Sequence, residues 1–318
     1  MADDTQPYHI PVLLGETIDA LRVKPDGLYL DGTLGGGGHA EEILGRGGRL
    51  IGVDRDQDAI AHVQDRFSRI PEFAGRYELV HDNFKNIHSS LLTPNSSLTF
   101  DGAILDLGVS SHQIDLAGRG FSYMADAPLD MRMNQGQALS AYNIVNEYPE
   151  SELSRILYTF GEERSARRIA KAIAAARAKK PIETTLELSK IVLSCFPPFI
   201  KGGHPAKRTF QSLRIEVNDE LSGLMQALKD IVDLLAPGAR LAVISFHSLE
   251  TSAVRRAFRE LASDCICDKS QPICVCNHKA SVKLIEIKGI TPTRQEQELN
   301  SRSASASLRV IEKLPPRN

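Results

Sequence analysis

The sequence lacks the features that would place it in several large classes of protein. In its 318 residues no apolar run approaches the roughly 20 residues that a transmembrane helix needs. The first residues, MADDTQPYH, lack the basic and then apolar layout of a secretory signal. Repeats and long linkers are also absent. We therefore expect a globular protein of the cytoplasm that does not contact a membrane.

The chain has few cysteines and no excess of positive charge. The five cysteines, an odd number, indicate reduced thiols rather than a disulfide framework. A formal net charge of −2 excludes a nucleic-acid binder that relies on its overall field, so any such contact must come from local basic patches. The length predicts two domains, or one core that carries a large insertion.

Short apolar runs alternate with helical patterns in the first hundred residues. Continuous apolar runs in such an alternation predict a parallel sheet with right-handed crossovers and both faces covered. The predicted strands are Leu28–Asp31, Arg49–Asp54, Tyr77–Asp82 and Gly102–Asp106, and the predicted helices between them are residues 39–46 and Gln57–Phe67.

The pattern then changes and later resumes. Between about 113 and 206 no run is typical of a buried strand, and residues 161–180 predict a helix that Pro181 ends. After 207 we predict a long helix, a buried strand and two late strands of antiparallel type. These elements are Phe210–Leu235, ended by Pro237-Gly238, then Leu241–Phe246, Lys283–Lys288 and Ser307–Glu312.

This pattern predicts an α/β fold with a divided domain organisation. A sheet domain comprises residues 1–112 and 207–318, and an inserted, mostly helical domain comprises residues 113–206.

Four consecutive glycines, residues 35–38, follow the first predicted strand and precede a helix. A strand, a glycine turn and a helix place bare backbone N–H groups and a helix N-terminus at a ligand. The stretch fits G-x-G-x-x-A, and Asp54 ends the next strand about 20 residues later, where a carboxylate binds ribose hydroxyls. NAD and S-adenosylmethionine both fit these features.

Acidic residues at the strand ends favour the sulfonium cofactor. Asp31 precedes the glycines, where a carboxylate repels a pyrophosphate but can meet the cationic end of S-adenosylmethionine. Phe84, just past the third strand, is either an adenine contact or an ordinary core aromatic. Asp106 ends the fourth strand and can accept a hydrogen bond from a substrate amine or the cofactor, or cap the following turn.

Several longer stretches are far more specific than a glycine loop, PLDMRM and HPAKRTFQ above all. They run from YHIPVLLGE (8–16) through DGTLGGGGH, VDRD, DLGVSSHQ, RGFSY, PLDMRM and FGEER to HPAKRTFQSLRIEVNDEL (204–221) and APGARLAVISFHSLE (236–250). On these residues, which cover nearly the whole chain, the sequence resembles the ribosomal RNA small subunit methyltransferase H family.

The resemblance implies a Rossmann-like class I methyltransferase sheet with an inserted domain that recognises the substrate. It implies S-adenosylmethionine-dependent N4-methylation of one cytidine, position 1402 in rRNA numbering, in 16S rRNA of the small ribosomal subunit. The expected partner is 16S rRNA or the small subunit, with no DNA. By matching motif, the cofactor contacts fall on Gly37, Gly38, His39, Asp54, Phe84, Asp106 and Gln113.

Two basic stretches are candidates for RNA binding, although a charge run is often only a solvated surface. Their residues are Arg164, Arg167, Arg168 and Lys171, followed by Lys207 and Arg208. The catalytic base is not predicted. Asp106 and His247, which follows the fifth strand, are candidates for a catalytic role, and His247 can equally be structural.

Four of the cysteines form two C-x-C pairs, Cys265 with Cys267 and Cys274 with Cys276. Four thiolates can bind zinc, but C-x-C is less common in zinc sites than C-x-x-C, and reduced surface thiols are the alternative. We predict no metal, and relatives of the family can lack this cluster. Any metal would therefore be structural and away from methyl transfer.

Two other functions remain open from the residues alone. The glycine spacing permits a nicotinamide-dependent oxidoreductase. A ribosome-assembly factor without catalysis is the second alternative. DNA amine methylation is disfavoured because no (Asp/Asn/Ser)-Pro-Pro-aromatic tetrad follows the fourth strand.

Overall fold

The structure, a computed structural model, describes residues 11–91, 98–197, 203–268, 271, 273–286 and 288–316. The chain divides into two compact units. The first unit runs to Gly108 and resumes at Leu221, and the second unit is Val109–Glu220.

The helices of the described ranges are distributed over both units. In chain order they are α1 (Leu14–Leu21), α2 (Gly38–Gly45), α3 (Gln57–Ser68), α4 (Ile87–Leu91), α5 (Ser111–Asp115), α6 (Ala141–Glu147), α7 (Glu150–Gly161), α8 (Ala166–Arg177), α9 (Thr185–Ser194), α10 (Ala206–Asn218), α11 (Leu224–Asp233), α12 (Ser248–Leu261) and α13 (Arg294–Leu299). None of these helices has the length and apolar character that a membrane span requires.

Seven strands of the described residues form one sheet in the first unit. They are β1 (Leu28–Asp31), β2 (Arg49–Asp54), β3 (Tyr77–His81), β4 (Phe100–Asp106), β5 (Leu235–Ser245), β6 (Val282–Leu284) and β7 (Ser307–Lys313). Their order is β3-β2-β1-β4-β5-β7-β6. The first five are parallel and β7 is antiparallel to both β5 and β6. The predicted α/β fold, with a sheet whose first strands are parallel, is confirmed.

Both faces of this sheet are buried, which explains the continuous apolar runs of its strands. Tyr29 and Leu30 are neighbours in β1 and both are fully buried, but they belong to different apolar clusters. Because successive strand residues point to opposite faces, a strand that is covered on both sides needs apolar residues at every position.

The second unit is mostly helical and has its own core. Leu153 and Ile156 of α7, Ile169 of α8 and Leu213 of α10 are buried in one apolar cluster. Among its described residues the only β pairing is an isolated bridge between Pro128 and Thr184. Helix α10 belongs to this unit because Phe210, Leu213 and Val217 pack into the helical cluster. The second unit therefore spans Val109–Glu220, and the expected insert of 113–206 lies within it.

Two predicted helices are broken in the structure. The helix expected over 161–180 is interrupted after α7 by Glu162, and the helix expected over Phe210–Leu235 is interrupted after α10 by Asp219. Both residues have positive φ, 50° and 48°, which ends a helix in the left-handed conformation. Neither residue with positive φ is a glycine, so residue type at these positions does not predict the breaks.

Strand β5 begins earlier than predicted. Pro237 and Gly238, expected as a helix stop, lie inside β5 where its pairing with β4 shifts register between Phe100 and Gly102. A bulge tolerates proline because a ladder hydrogen bond is already missing there. Strand β6 is shorter than the predicted Lys283–Lys288, of which Ile287 lies outside the described residues.

Gly161, the last residue of α7, marks a close approach between α7 and α10. A Cβ at this position would lie 2.8 Å from the carbonyl oxygen of Arg208. We expect Gly161→Ala to lower the free energy of unfolding by about 1–3 kcal/mol, because the backbone of one helix must move. Denaturant unfolding midpoints of the variant and the wild type measure this effect.

The matched control is Gly45→Ala, which also changes the last residue of a helix. No atom lies within 4 Å of a Cβ built there, so this variant should be neutral or stabilised by about 0.5 kcal/mol. Equal midpoints for the two variants would contradict the tight packing at Gly161.

Candidate functional site

Three carboxylates end three adjacent strands of the sheet. Asp31 is the last residue of β1, Asp54 of β2 and Asp106 of β4. Because β1 pairs in parallel with both β2 and β4, the three residues lie at the same edge. The chain runs outward from β1 to β3 and then returns to β4 on the other side of β1, so this edge is the topological switch point where α/β sheets bind ligands.

Asp54 connects the second strand to the glycine loop. Its Oδ2 accepts a hydrogen bond from Gly35 N–H at 2.7 Å, and its Oδ1 accepts one from Asp56 N–H at 2.8 Å. Burial raises the pKa of Asp54 to about 6, although both N–H groups oppose the rise. A carboxylate oxygen has two lone pairs, so Asp54 keeps acceptor capacity for ligand hydroxyls.

Asp31 and Asp106 are bridged by Thr33. Asp31 Oδ1 accepts Thr33 N–H at 3.1 Å, and Thr33 Oγ1 accepts Asp106 N–H at 2.5 Å. Burial, together with the negative charge of Asp54, raises the pKa of Asp31 to about 7, although the hydrogen bond from Thr33 N–H opposes the rise. Burial also raises the pKa of Asp106 well above its usual range, with added repulsion from Asp31 and Glu250.

The glycine loop is fixed by the protein itself at two of its positions. Gly37 has φ of 76°, and a Cβ there would lie 3.0 Å from Val63 and 3.2 Å from Phe67 of α3. A Cβ on Gly38 would lie 2.8 Å from the Pro11 ring. Arg66 of α3 donates to the carbonyl of Gly36 at 2.7 Å. Packing therefore explains Gly37 and Gly38, whatever ligand the loop binds.

The first turn of α2 follows the glycine loop directly. Its N-cap is Gly37, and no side chain caps the helix. His39 does not point its ring at this turn: the buried ring donates through Nε2 to the Val12 carbonyl at 3.2 Å. The backbone N–H groups of this turn, rather than the His39 side chain, are the groups that can bind a ligand.

Phe84 follows β3 in a short 3₁₀ turn, Phe84–Asn86. The side chain is partly buried and packs against the core of one sheet face. A Cβ on Gly32 would approach Phe84 Cβ to 3.1 Å, so Phe84 lies beside the residue that follows Asp31. Phe84 thus has a core role, and its contact with adenine stays a prediction.

Gln113 lies in the second unit, where it has a clear local role. Its side-chain oxygen accepts Ser110 N–H at 3.1 Å, and Ser110 Oγ accepts Gln113 N–H at 3.2 Å. This reciprocal pair is a capping box at the start of α5.

His247 caps α12 and is thereby held in a structural role. Its Nδ1 accepts Glu250 N–H at 3.4 Å, and its Nε2 lies 3.1 Å from Glu250 Oε1. Glu250 in turn accepts Phe246 N–H at 2.8 Å. Helix capping accounts for these contacts of His247, and a catalytic role has no support from them.

The basic candidates are exposed on the second unit. Arg164, Arg167, Arg168 and Lys171 all face solvent, in or just before α8. The Arg168 guanidinium lies 5.4 Å from the centre of the Phe196 ring. Lys207 and Arg208 are in the first turn of α10 rather than in a loop, and Arg208 Nη1 donates to the Glu162 carbonyl at 2.8 Å.

The cysteines lie elsewhere in the first unit. The sulfurs of Cys265, Cys267, Cys274 and Cys276 all lie within 4.8 Å of one another. The structure therefore brings together all four predicted candidates, in the segment between α12 and β6.

The acidic edge defines the kind of ligand that fits. Asp106 Oδ1 is buried and has no hydrogen-bond partner among the described residues, which is unfavourable unless a ligand supplies a donor. Three neighbouring carboxylates disfavour a pyrophosphate and favour a cation that also carries hydroxyls. S-adenosylmethionine has a sulfonium, an ammonium group and a ribose, so the residues present fit it.

An acidic edge at the switch point of a parallel sheet fits an enzyme that binds a cationic methyl donor there, that is, a methyltransferase. The chain belongs to the MraW methylase family, which matches residues 6–314. This membership confirms the predicted cofactor, S-adenosylmethionine.

Curated relatives match along nearly their full length. One from Heliobacterium mobile, named ribosomal RNA small subunit methyltransferase H, is 49% identical over 96% of this chain and 99% of its own. A relative of the same name from Clostridium botulinum (strain Kyoto / Type A2) is 51% identical with the same coverage. Similarity to solved structures is lower: an rRNA methylase from Streptococcus thermophilus has a TM-score of 0.43 and 12% identity, covering 99% of this chain and 100% of that one.

Sequence reasoning missed several residues that build the site. Thr33 links two of the carboxylates, Arg66 holds the loop, and Glu250 adds negative charge near Asp106. Only Thr33 had a sequence signal, because it lies between a strand-ending aspartate and the glycines.

The raised pKa of Asp31 predicts a pH dependence of stability in the ligand-free protein. The folded state binds more protons than the unfolded state between the ordinary value of 3.8 and about 7. The free energy of unfolding should therefore fall as pH rises through this window. In Asp31→Asn the amide oxygen can still accept Thr33 N–H while the charge is gone, so the decline should become shallower.

Denaturant midpoints at pH 5 and pH 8 test this expectation. Asp54 also has a raised pKa, so some slope should remain in the variant. The exposed Asp126 provides the control Asp126→Asn, which should keep the wild-type slope. An unchanged slope in Asp31→Asn would contradict the burial of an unfavourable charge at this position.

Proposed function

We propose that the protein methylates the N4 amine of cytidine 1402 in 16S rRNA of the small ribosomal subunit, using S-adenosylmethionine. The single observation that carries the methyl-donor assignment is the buried, unpartnered Asp106 oxygen at an edge that already holds Asp31 and Asp54. The name of the curated relatives supports the rRNA substrate.

Two of the three carboxylates, Asp54 and Asp106, have a defined role in this proposal. Asp54 accepts hydrogen bonds from the ribose hydroxyls, and its bonds to Gly35 and Asp56 keep the carboxylate in one orientation. Asp106 Oδ1 accepts an N–H of the bound donor, which satisfies the buried oxygen. The uncapped N–H groups of α2 and the Phe84 ring complete the contacts. The cofactor supplies an electrophilic methyl group when it is bound.

The acceptor amine sets a second requirement. The lone pair of the cytosine N4 is delocalised into the ring, so the amine is a weak nucleophile and must be held in line with the methyl group. The base must also leave its stack to reach a pocket. The amine loses one proton after transfer, and water can take it. No described side chain is assigned as the proton acceptor.

The exposed cations of the second unit are the proposed RNA contacts. Among the described residues no acid lies at ion-pair distance from Arg164, Arg167 or Lys171, so these charges are available to phosphates. Arg177 of the same helix is different, because its guanidinium donates to the carbonyls of Val145 and Tyr148. Arg177 therefore has a structural role.

Asp54→Ala tests the donor site. Loss of hydrogen bonds to a charged group costs about 1.5–3 kcal/mol, so the dissociation constant for S-adenosylmethionine should rise about 10- to 100-fold. Asp54→Asn keeps one acceptor oxygen, so its affinity for the donor should be intermediate. Asp65 is exposed, so Asp65→Ala should bind the donor like the wild type. Isothermal titration measures the affinities. Tight binding of NADH without a response to S-adenosylmethionine would instead establish the oxidoreductase alternative.

The substrate is tested with small subunits from cells that lack this protein. Incubation with the wild type and methyl-labelled S-adenosylmethionine should place one label per 16S rRNA, and mass mapping should find it on the N4 of cytidine 1402. Asp54→Ala should label much more slowly at the same donor concentration. A label on another base would overturn the proposal. It would also be overturned if Asp54→Ala supported normal subunit assembly while no label was transferred.

Alanine substitutions in α8 test the RNA surface. Arg167→Ala with Lys171→Ala should weaken binding to the small subunit's rRNA, and the slope of log affinity against log salt should become shallower by about 0.7 for each phosphate that is no longer neutralised. Affinity for the donor should not change. Lys180→Ala is the control, because Lys180 already pairs with Glu187 at 3.3 Å. If the double variant and the wild type had equal salt slopes, α8 would not be part of the RNA-binding surface.

A further inference from the structure

The two C-x-C pairs lie in a segment that has little other reason to be ordered. The segment follows α12 and precedes β6, and it forms no helix or strand among its described residues. Cys265 and Cys274 are exposed. Their neighbours Ile266, Ile273 and Val275 are 48%, 74% and 70% exposed, so burial of apolar surface does not bring the cysteines together.

The four sulfurs nevertheless have the spacing of a metal site. The Sγ distances are 4.0 Å between Cys267 and Cys274, 3.6 Å between Cys274 and Cys276, and 3.8 Å between Cys276 and Cys265. In a tetrahedral site with zinc–sulfur bonds of about 2.3 Å, adjacent sulfurs lie about 3.8 Å apart. The observed values bracket this spacing and are far longer than a disulfide bond of about 2.05 Å.

Backbone groups point at the sulfurs. Ile266 N–H lies 3.4 Å from Cys276 Sγ, Cys267 N–H lies 3.4 Å from Cys265 Sγ, and Val275 N–H lies 3.5 Å from Cys267 Sγ. Four thiolates around a divalent cation carry a net charge of −2, and hydrogen bonds to the sulfurs stabilise that charge.

Hydrogen bonds that do not involve the sulfurs join the two ends of the segment. Asp264 Oδ1 accepts Ala280 N–H at 3.1 Å, Ser281 N–H donates to the Leu261 carbonyl at 2.8 Å, and the His278 ring lies 2.9 Å from the Glu260 carbonyl. The two C-x-C pairs thus lie on one loop whose ends are hydrogen-bonded to each other.

We propose that Cys265, Cys267, Cys274 and Cys276 bind one Zn²⁺ ion as a structural site. Soft thiolate ligands in a tetrahedral arrangement select zinc over magnesium or calcium. All four positions are occupied by protein, so the site has no open position for catalysis. The adjoining strand β6 is at the edge of the sheet opposite β3, away from the carboxylates of β1, β2 and β4.

Metal content of the full-length, tag-free protein tests the proposal. The protein is purified with a reductant and without chelators, and elemental analysis should give roughly one zinc per chain. Cobalt reconstitution should give the absorption of tetrahedral cobalt with thiolate charge-transfer bands. A stoichiometric iron content, or a metal-free protein with all five thiols titratable, would overturn the assignment even if no variant folds.

Single serine substitutions locate the metal. Cys274→Ser should lose at least nine-tenths of the zinc and should unfold at a lower temperature, whereas its donor affinity should match the wild type. Cys195→Ser changes a buried cysteine of the second unit and should keep the full zinc content. Undiminished zinc in Cys274→Ser would place the metal elsewhere and refute the site.

Discussion

The repulsion among buried carboxylates at the carboxyl edge of β1, β2 and β4 is the constraint on which the site depends. Burial and neighbouring negative charge raise the pKa values of Asp31, Asp54 and Asp106 together. Such an arrangement is unfavourable for folding alone, and the parallel pairing of the three strands and the buried core enforce it. A cationic ligand would relieve the repulsion, so the charges that weaken the ligand-free fold would favour a sulfonium over a pyrophosphate in the proposed site.

The chain separates the donor site from the surface proposed for RNA. The chain leaves the first unit after β4, at Gly108, and returns to it at Leu221, before α11 and β5. The second unit has its own apolar core, so its exposed cations can vary without disturbing the strands that end in the carboxylates. This division explains why a protein with a net charge of −2 can carry a local basic surface.

The parts of the fold that depend on local pattern could be predicted from the sequence. The strands up to Asp106, the loop before α2 and the three strand-ending aspartates follow from apolar runs, glycines and acidic residues that are close together in the chain. The breaks at Glu162 and Asp219 were missed because both residues have positive φ, which their residue types do not predict. The start of β5 was missed because a bulge tolerates Pro237.

Prediction of the site was limited by contacts between distant residues. Asp54 and Asp106 are where their motifs placed them, but the side chains of His39 and His247 are engaged in local structure, which spacing alone does not reveal. The four cysteines are the opposite case, because their spacing in the sequence was ambiguous, whereas in the structure all four sulfurs lie within 4.8 Å of one another.

The clamp that α3 places on the glycine loop has a consequence for recognition. Val63 and Phe67 leave no room for a side chain on Gly37, and Arg66 holds the carbonyl of Gly36. The conformational entropy of the loop is thus lost when the protein folds rather than when the ligand arrives. A ligand that binds this loop would therefore meet a conformation that residues of α3 already hold in place.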